Sequence, residues 1–310
     1  DVYKRQVNIH RGCFGGCSFC TISAHQGKFI VSRSERSILD EVRRIVRMPD
    51  FHGTISDIGG PSANMYGMGG RDRELCSRCR RPSCLHPRRC PNLDNDHRPL
   101  LELYSKVRAV EGVKRAFIGS GIRYDLFDAS PYLETVVRHH TSGRLKVAPE
   151  HTEDHVLRLM RKPPFAMFEQ LNEDFHEICR RNGLRYQLIP YFISSHPGCT
   201  EADMKALARK VLGKLHFTLE QVQDLTPTPM TLSSVMFHTG RDPYTGEELY
   251  VARNQDDKRR QKSYFFRESQ RRTSDPHVSR PSSESAPKQS HGAGHGRRSS
   301  SHGGRRDRHD

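Results

Sequence analysis

Three cysteines fall within eight residues in the stretch Arg11-Gly12-Cys13-Phe14-Gly15-Gly16-Cys17-Ser18-Phe19-Cys20. Thiols this close cannot all pair as disulfides without severe strain, whereas spacings of three and two residues let one tight loop aim every sulfur at a single centre. The chemistry this predicts is a metal or iron-sulfur site. A closed structural zinc would take a fourth ligand, for which His25 is the nearest candidate, giving a Cys3His arrangement. Left at three thiolates, the centre keeps one position open for a substrate or cofactor. A second group, Cys76-x2-Cys79-x4-Cys84-x5-Cys90, places four thiols in an Arg- and Pro-rich loop without an apolar pattern of its own. Four thiolates suit either tetrahedral zinc or an auxiliary iron-sulfur cluster, because sulfur serves both metals. His86 and His97, nearby in the sequence, read as unliganded loop histidines.

Polar residues recur where apolar runs end. Gly59-Gly60-Pro61 closes Thr54–Ile58, with glycines where backbone can approach a ligand closely. Ser120, Arg123 and Asp125 follow Arg115–Gly119, and Glu150 ends Leu145–Ala148. These groups are candidates for one polar mouth, although Arg123 and Glu150 read equally well as a structural ion pair. Cys179 sits in a helical pattern and reads as core. Cys199 follows the Pro197-Gly198 turn, where it could face the mouth.

The elements that must position these groups alternate. Residues 7–10 read as a strand leading into the cysteine loop, and a helix from about Ser34 carries Ile38, Leu39, Val42, Ile45 and Val46 at helical spacing. Further strands are expected at 54–60, 115–119, 145–150, 186–193 and 217–225. Helices are expected at 100–110, 131–139, 165–181, 204–215 and 258–272. Phe168, Leu171, Phe175 and Ile178 mark the helix at 165–181, with Gly183 at its C-terminal end, and Thr200 with Asp203 begins the next as a capping box. Six strands separated by helices imply a parallel α/β sheet curled as an open or partial barrel, with its site at the strand C-terminal ends.

Nine cysteines, mostly in two tight groups, favour metal over disulfides in a reducing cytosol, and a cytoplasmic location is the expectation. No apolar run approaches the ~20 residues needed to cross a bilayer. The net charge is +15, of which residues 252–310 hold fifteen Lys and Arg against seven Asp and Glu. Residues 1–6 are expected to be an artificial or fragment leader. Residues 7–251 form the barrel, with the cysteine-rich loop at about 62–99, and 252–273 form a short helical extension. Residues 274–310 are expected to be a disordered basic tail, a candidate for nucleic-acid backbones.

The spacing Cys13-x3-Cys17-x2-Cys20, with Phe19 before the last cysteine, resembles the signature loop of the radical S-adenosylmethionine (SAM) enzymes. The stretches His10–Cys17, Gly59-Gly60-Pro61-Ser62-Ala63-Asn64-Met65-Tyr66 and Val147-Ala148-Pro149-Glu150-His151-Thr152 are similar to the YgiQ-type members over about residues 7–270. The resemblance implies a partial (β/α)6 radical SAM barrel in which Cys13, Cys17 and Cys20 hold a [4Fe-4S] cluster. The free iron of that cluster chelates the amino and carboxylate groups of SAM. Phe19 would lie near the adenine. Gly59 and Gly60 would meet the SAM amino group through backbone carbonyls, since Pro61 replaces the usual acidic residue, while Ser120, Arg123 and Glu150 would face ribose or carboxylate. Full-length members carry a further N-terminal region resembling a cobalamin-binding domain. The implied activity is reductive cleavage of SAM to a 5'-deoxyadenosyl radical. It would act on an unidentified substrate, with electrons from a reductant protein such as a flavodoxin or ferredoxin. The competing reading is a non-enzymatic, nucleic-acid-binding protein with zinc in both cysteine groups.

Overall fold

The computed structural model describes residues 5–128, 131–217, 219 and 222–273, with the side chains of 266–273 excepted. The chain divides into two units, residues 1–269 and 270–310. Of the second, only the helical residues 270–273 are described, and the geometry reported below is that of the first. The basic tail at 274–310 lies outside the described residues, as do residues 1–4 of the expected leader.

The first unit is α/β, and its main strands pair in parallel. Gln6–Asn8 runs beside Asp57–Gly59, with Val7 opposite Ile58, and Thr54–Ile55 pairs with Arg115–Ala116. A bridge between Ile122 and Val147 leads on to a three-stranded sheet in the order Val222–Asp224, Gln187–Ser194, Arg144–Glu150. The strands expected at 7–10, 54–60 and 115–119 are therefore shorter or broken. His10–Arg11 leaves the first strand and pairs antiparallel with Val31–Ser32. The backbone here serves two neighbours in turn, a division that apolar patterning does not encode.

Helices form where one face is apolar. Glu35–Val46 buries Ile38, Val42 and Ile45, and the Ser34 hydroxyl accepts from the Ser37 amide as its N-cap. Phe165–Arg181 buries Phe165, Phe168, Leu171, Phe175, Ile178 and Cys179. Its end is a Schellman turn: Gly183, at φ 64°, donates to Arg180 O and Leu184 donates to Cys179 O. Thr200 and Asp203 form the capping box of Glu201–Ala208, which continues as a π-helix over Arg209–Lys214. Among the helices that escape the sequence reading are Asp154–Met160 and Leu232–Thr239. At seven and eight residues they are about two turns long, too short to display a period. Ile9, Ile38, Ile55, Ile58, Leu103 and Val147 meet in the main core, where burial of each large aliphatic side chain contributes ~1.5–3 kcal/mol.

Candidate functional site

The cysteine loop is moulded by its glycines. Gly12 has φ 86°, and a Cβ there would lie 2.0 Å from Phe29 O. Gly16 has φ 61°, and its Cβ would lie 2.2 Å from Pro82 O, so the loop closes against the second cysteine segment. The Ser83 hydroxyl ties the two together by donating to Gly15 O at 2.7 Å. Cys13 is buried and Cys17 and Cys20 are half-buried, all as free thiols. Burial pushes the Cys13 and Cys20 thiols up, and the neighbouring cysteines act on both in the same direction. Arg123 draws Cys13 back down.

Two of the expected strand-end groups reach this loop. Arg123, after the Arg115–Ala116 strand, donates from Nη1 to Cys17 Sγ at 3.3 Å. Its other nitrogens grip Asp125 at 3.0 and 2.5 Å, with the two side chains only 7% and 11% exposed. Burial alone would push Asp125 up, but the guanidinium beside it holds the carboxyl below the usual range. Glu150 ends its strand at φ 69°, a left-handed conformation that costs a non-glycine residue ~1–3 kcal/mol and points to a site that must hold it. It lies 3.8 Å from the equally buried Lys162. Burial raises the Glu150 carboxyl despite that lysine, and its charge is felt at Cys20. Arg123 and Glu150 therefore do not take each other as ion-pair partners: each has a nearer one, Asp125 for the arginine and Lys162 for the glutamate. A cavity of about 420 Å³ opens beside this array, lined by Asp125, Arg158, Arg161 and Lys162 among others.

Ser120 and the glycine pair belong to an adjoining network. The Ser120 hydroxyl donates to Asp57 Oδ2 at 2.6 Å, and the Gly119 and Ser120 amides donate to Oδ1. Asp57 thus pins the turn that carries Ser120. The space a Cβ would need at Gly59 is held by the Ser120 and Asp57 side chains, and that at Gly60 by the ring of His10, 2.5 Å away. Gly59 O already accepts from Ile9 N at 2.9 Å, so a ligand amino group would share that carbonyl or fall to Gly60. Phe19 is half-buried and sets its ring edge-on to His196, 6.5 Å between centroids.

The sequence reading missed Asp57, Lys162 and a hydrogen-bonded triad behind the loop. In that triad His196 Nδ1 donates to Pro197 O, and Nε2 accepts from the Ser233 hydroxyl at 2.7 Å. Ser18 Oγ lies 2.8 Å from Ser233 Oγ. Burial lowers His196 to about 4, so the ring is neutral and serves as a fixed strut. Ser233 stands on one of the two short helices, and no local pattern joins it to Ser18. Cys199 is buried, with its sulfur 3.4 Å from His151 Nε2, and burial raises the thiol strongly, which marks it as packing rather than a reactive group. His97 is buried and stacked on Tyr132.

The donor sets discriminate between metals. Zinc holds sulfur at about 2.3 Å, which keeps the sulfurs of one site within about 4 Å of each other. Among the described residues, no group of three or more Cys, His, Asp or Glu is gathered closely enough to hold a single ion, His25 included. A four-iron cluster takes each thiolate on a different iron and accepts a wider spread. Three free thiols on one loop, with the Arg123 guanidinium 3.3 Å from the Cys17 sulfur, fit such a cluster.

Residues 220–271 match the family model described as a domain of unknown function, DUF3362. The chain is 55% identical over 277 residues to a UPF0313 protein of Bacteroides thetaiotaomicron, a match covering 86% of this chain and 44% of that protein. It is 56% identical to a UPF0313 protein of Porphyromonas gingivalis with the same coverage. The chain therefore spans under half the length of these curated relatives. In fold it is similar to a radical S-adenosylmethionine methyltransferase, TsrM of Kitasatospora setae, solved with cobalamin and a [4Fe-4S] cluster bound. The TM-score is 0.51 at 16% identity, over 75% of this chain and 38% of that one. This likeness bears out the α/β fold expected from the sequence. No described helix is long and apolar enough to cross a membrane.

Proposed function

This chain belongs to the UPF0313 family, and from that premise we propose that it is a radical SAM enzyme whose cluster is held by Cys13, Cys17 and Cys20. We read its parallel pairs, which follow one another in chain order, as an open (β/α)6 partial barrel. The observation that carries the reading is the 3.3 Å contact from Arg123 to Cys17, which brings a distant strand end onto the cysteine loop. Loop and strand ends then make one site, as the substrate-facing end of an α/β sheet requires.

Bound there, a [4Fe-4S] cluster would supply the electron that splits the sulfonium of SAM into methionine and a 5'-deoxyadenosyl radical. The chain's own residues do the rest. Arg123 offsets the negative charge of the thiolates, and Asp125 fixes its guanidinium. Phe19 offers a ring edge to the adenine, Gly60 a carbonyl to the amino group, and Glu150 a carboxylate that Lys162 orients. The buried Ser18-His196-Ser233 triad braces the loop from behind.

Protein loaded anaerobically with iron and sulfide, then given SAM and dithionite, is expected to release 5'-deoxyadenosine and methionine, and Cys17→Ala is expected to release neither. Iron-loaded protein whose reduced electron paramagnetic resonance (EPR) spectrum is unmoved by SAM and that yields no 5'-deoxyadenosine would sink the proposal.

A further inference from the structure

Among the described residues, the second cysteine group is a set of metal-ligating side chains that the proposed reaction leaves unused. Cys76, Cys79, Cys84 and Cys90 all line one cavity of about 680 Å³. They arrive there from different local structures. Cys76 lies in the short helix Arg73–Ser77, and the Cys79 amide donates to Cys76 O as the chain turns out of it. Cys84 is pinned through its amide to Phe14 O at 3.0 Å, and the Cys90 amide returns to Cys84 O at 2.7 Å. The fifteen residues from Cys76 to Cys90, with almost no apolar content, thus fold around a hollow rather than a core. Main-chain hydrogen bonds hold every cysteine at its rim.

The surroundings fit an anionic, sulfur-ligated centre. Lys28 Nζ is fixed at the same rim by Cys79 O at 2.8 Å and Arg81 O at 3.1 Å. Asn92 Nδ2 donates to Cys76 Sγ at 3.2 Å, the kind of contact that tunes a ligating thiolate. Arg71, Arg73 and Arg81 line the same cavity, against the single carboxylate of Asp94. Gly70 has no room for a side chain, because its Cβ would stand 2.1 Å from Cys76 Sγ. The floor is apolar: Phe14 and Leu93 line the cavity, and Cys84 and Cys90 pack on the small core that contains Cys13.

We propose that Cys76, Cys79, Cys84 and Cys90 ligate a second, fully thiolate-bound [4Fe-4S] cluster beside the first. Spacing decides against zinc. Among the described residues, the four sulfurs are not gathered tightly enough for one ion, whereas a four-iron cluster takes each thiolate on a different iron. With four protein ligands this cluster has no open iron, so it would not compete for SAM.

The test is metal accounting on the full chain, loaded anaerobically with ferrous iron and sulfide. Wild-type protein is expected to hold about eight iron and eight sulfide per chain, and the variant with alanine at Cys13, Cys17 and Cys20 together about four of each. The spectrum of that variant's reduced cluster is expected to be unmoved by SAM. Cys76→Ser with Cys79→Ser is expected to return the wild-type count to about four. A variant with alanine at Cys13, Cys17 and Cys20 that holds no iron, or wild-type protein that retains about one zinc through loading, would overturn the assignment. Neither count involves SAM cleavage, so a failure of the proposed enzyme activity would register separately.

Discussion

Arg123→Met should be among the most damaging single substitutions in this chain even with no metal bound. The guanidinium makes two charged hydrogen bonds to Asp125 and a third contact to Cys17. Removing it leaves the Asp125 carboxylate buried, 11% exposed, without its counter-ion. Breaking one side of such a pair costs about 3–5 kcal/mol, because the desolvation of the remaining charge is no longer offset. Taking away both charges as Arg123→Met with Asp125→Asn removes the penalty with the attraction, and the double variant should recover to within about 1–2 kcal/mol of wild type. The assay is urea unfolding of the reduced, metal-free chain at pH 7, followed by circular dichroism, with stability compared through midpoints at a common slope. The sign with pH follows from the depressed Asp125 carboxyl: its contribution is full above the unfolded carboxylate range and fades as pH falls through the lower folded value. A cost below about 1 kcal/mol for Arg123→Met, or a double variant no more stable than the single, would refute the account of the pair as a buried, mutually dependent unit.

Acid should unfold the chain early. Burial lowers His10, His97, His140 and His196 each from 6.5 to about 4 and His151 to about 3. The stability that depends on each staying neutral is full above pH 6.5 and is lost as pH falls from there to about 4, by up to ~3 kcal/mol per ring. The urea midpoint should therefore drop steeply from pH 6.5 to 4.5, less steeply in His196→Asn, and an unchanged wild-type midpoint at pH 4.5 would contradict the neutral rings. Gly16→Ala and Gly27→Ala separate strain from collision, since both positions have positive φ but only Gly16 would strike another residue, at Pro82 O. Gly27→Ala should cost about 1–2 kcal/mol and leave the iron content unchanged, whereas Gly16→Ala should cost more and lower the iron held by both cysteine groups. Equal effects of the two would show that contact between the cysteine segments is not needed to shape them.

The two cysteine groups, the α/β alternation and the helices at 35–46 and 165–181 were legible along the chain because spacing and period are local properties. The capping box at Thr200 and the glycine turn at Gly183 were legible for the same reason: each satisfies backbone groups within a few residues of itself. The partner of each buried charge was not. Arg123 and Glu150 were open to pairing with each other, yet the arginine closes on Asp125 and the glutamate on Lys162, because desolvation makes a buried charge take the nearest fixed counter-charge. Gly59 and Gly60 were read as an approach for ligand, and the structure fills their open sides with Ser120, Asp57 and His10. By itself the sequence determined which residues could ligate metal and the order of the elements that carry them. Tertiary structure decided that the two cysteine segments close on each other through Gly16, Ser83 and Pro82, and which strand ends reach the first loop, because those outcomes depend on contacts between segments about seventy to a hundred residues apart.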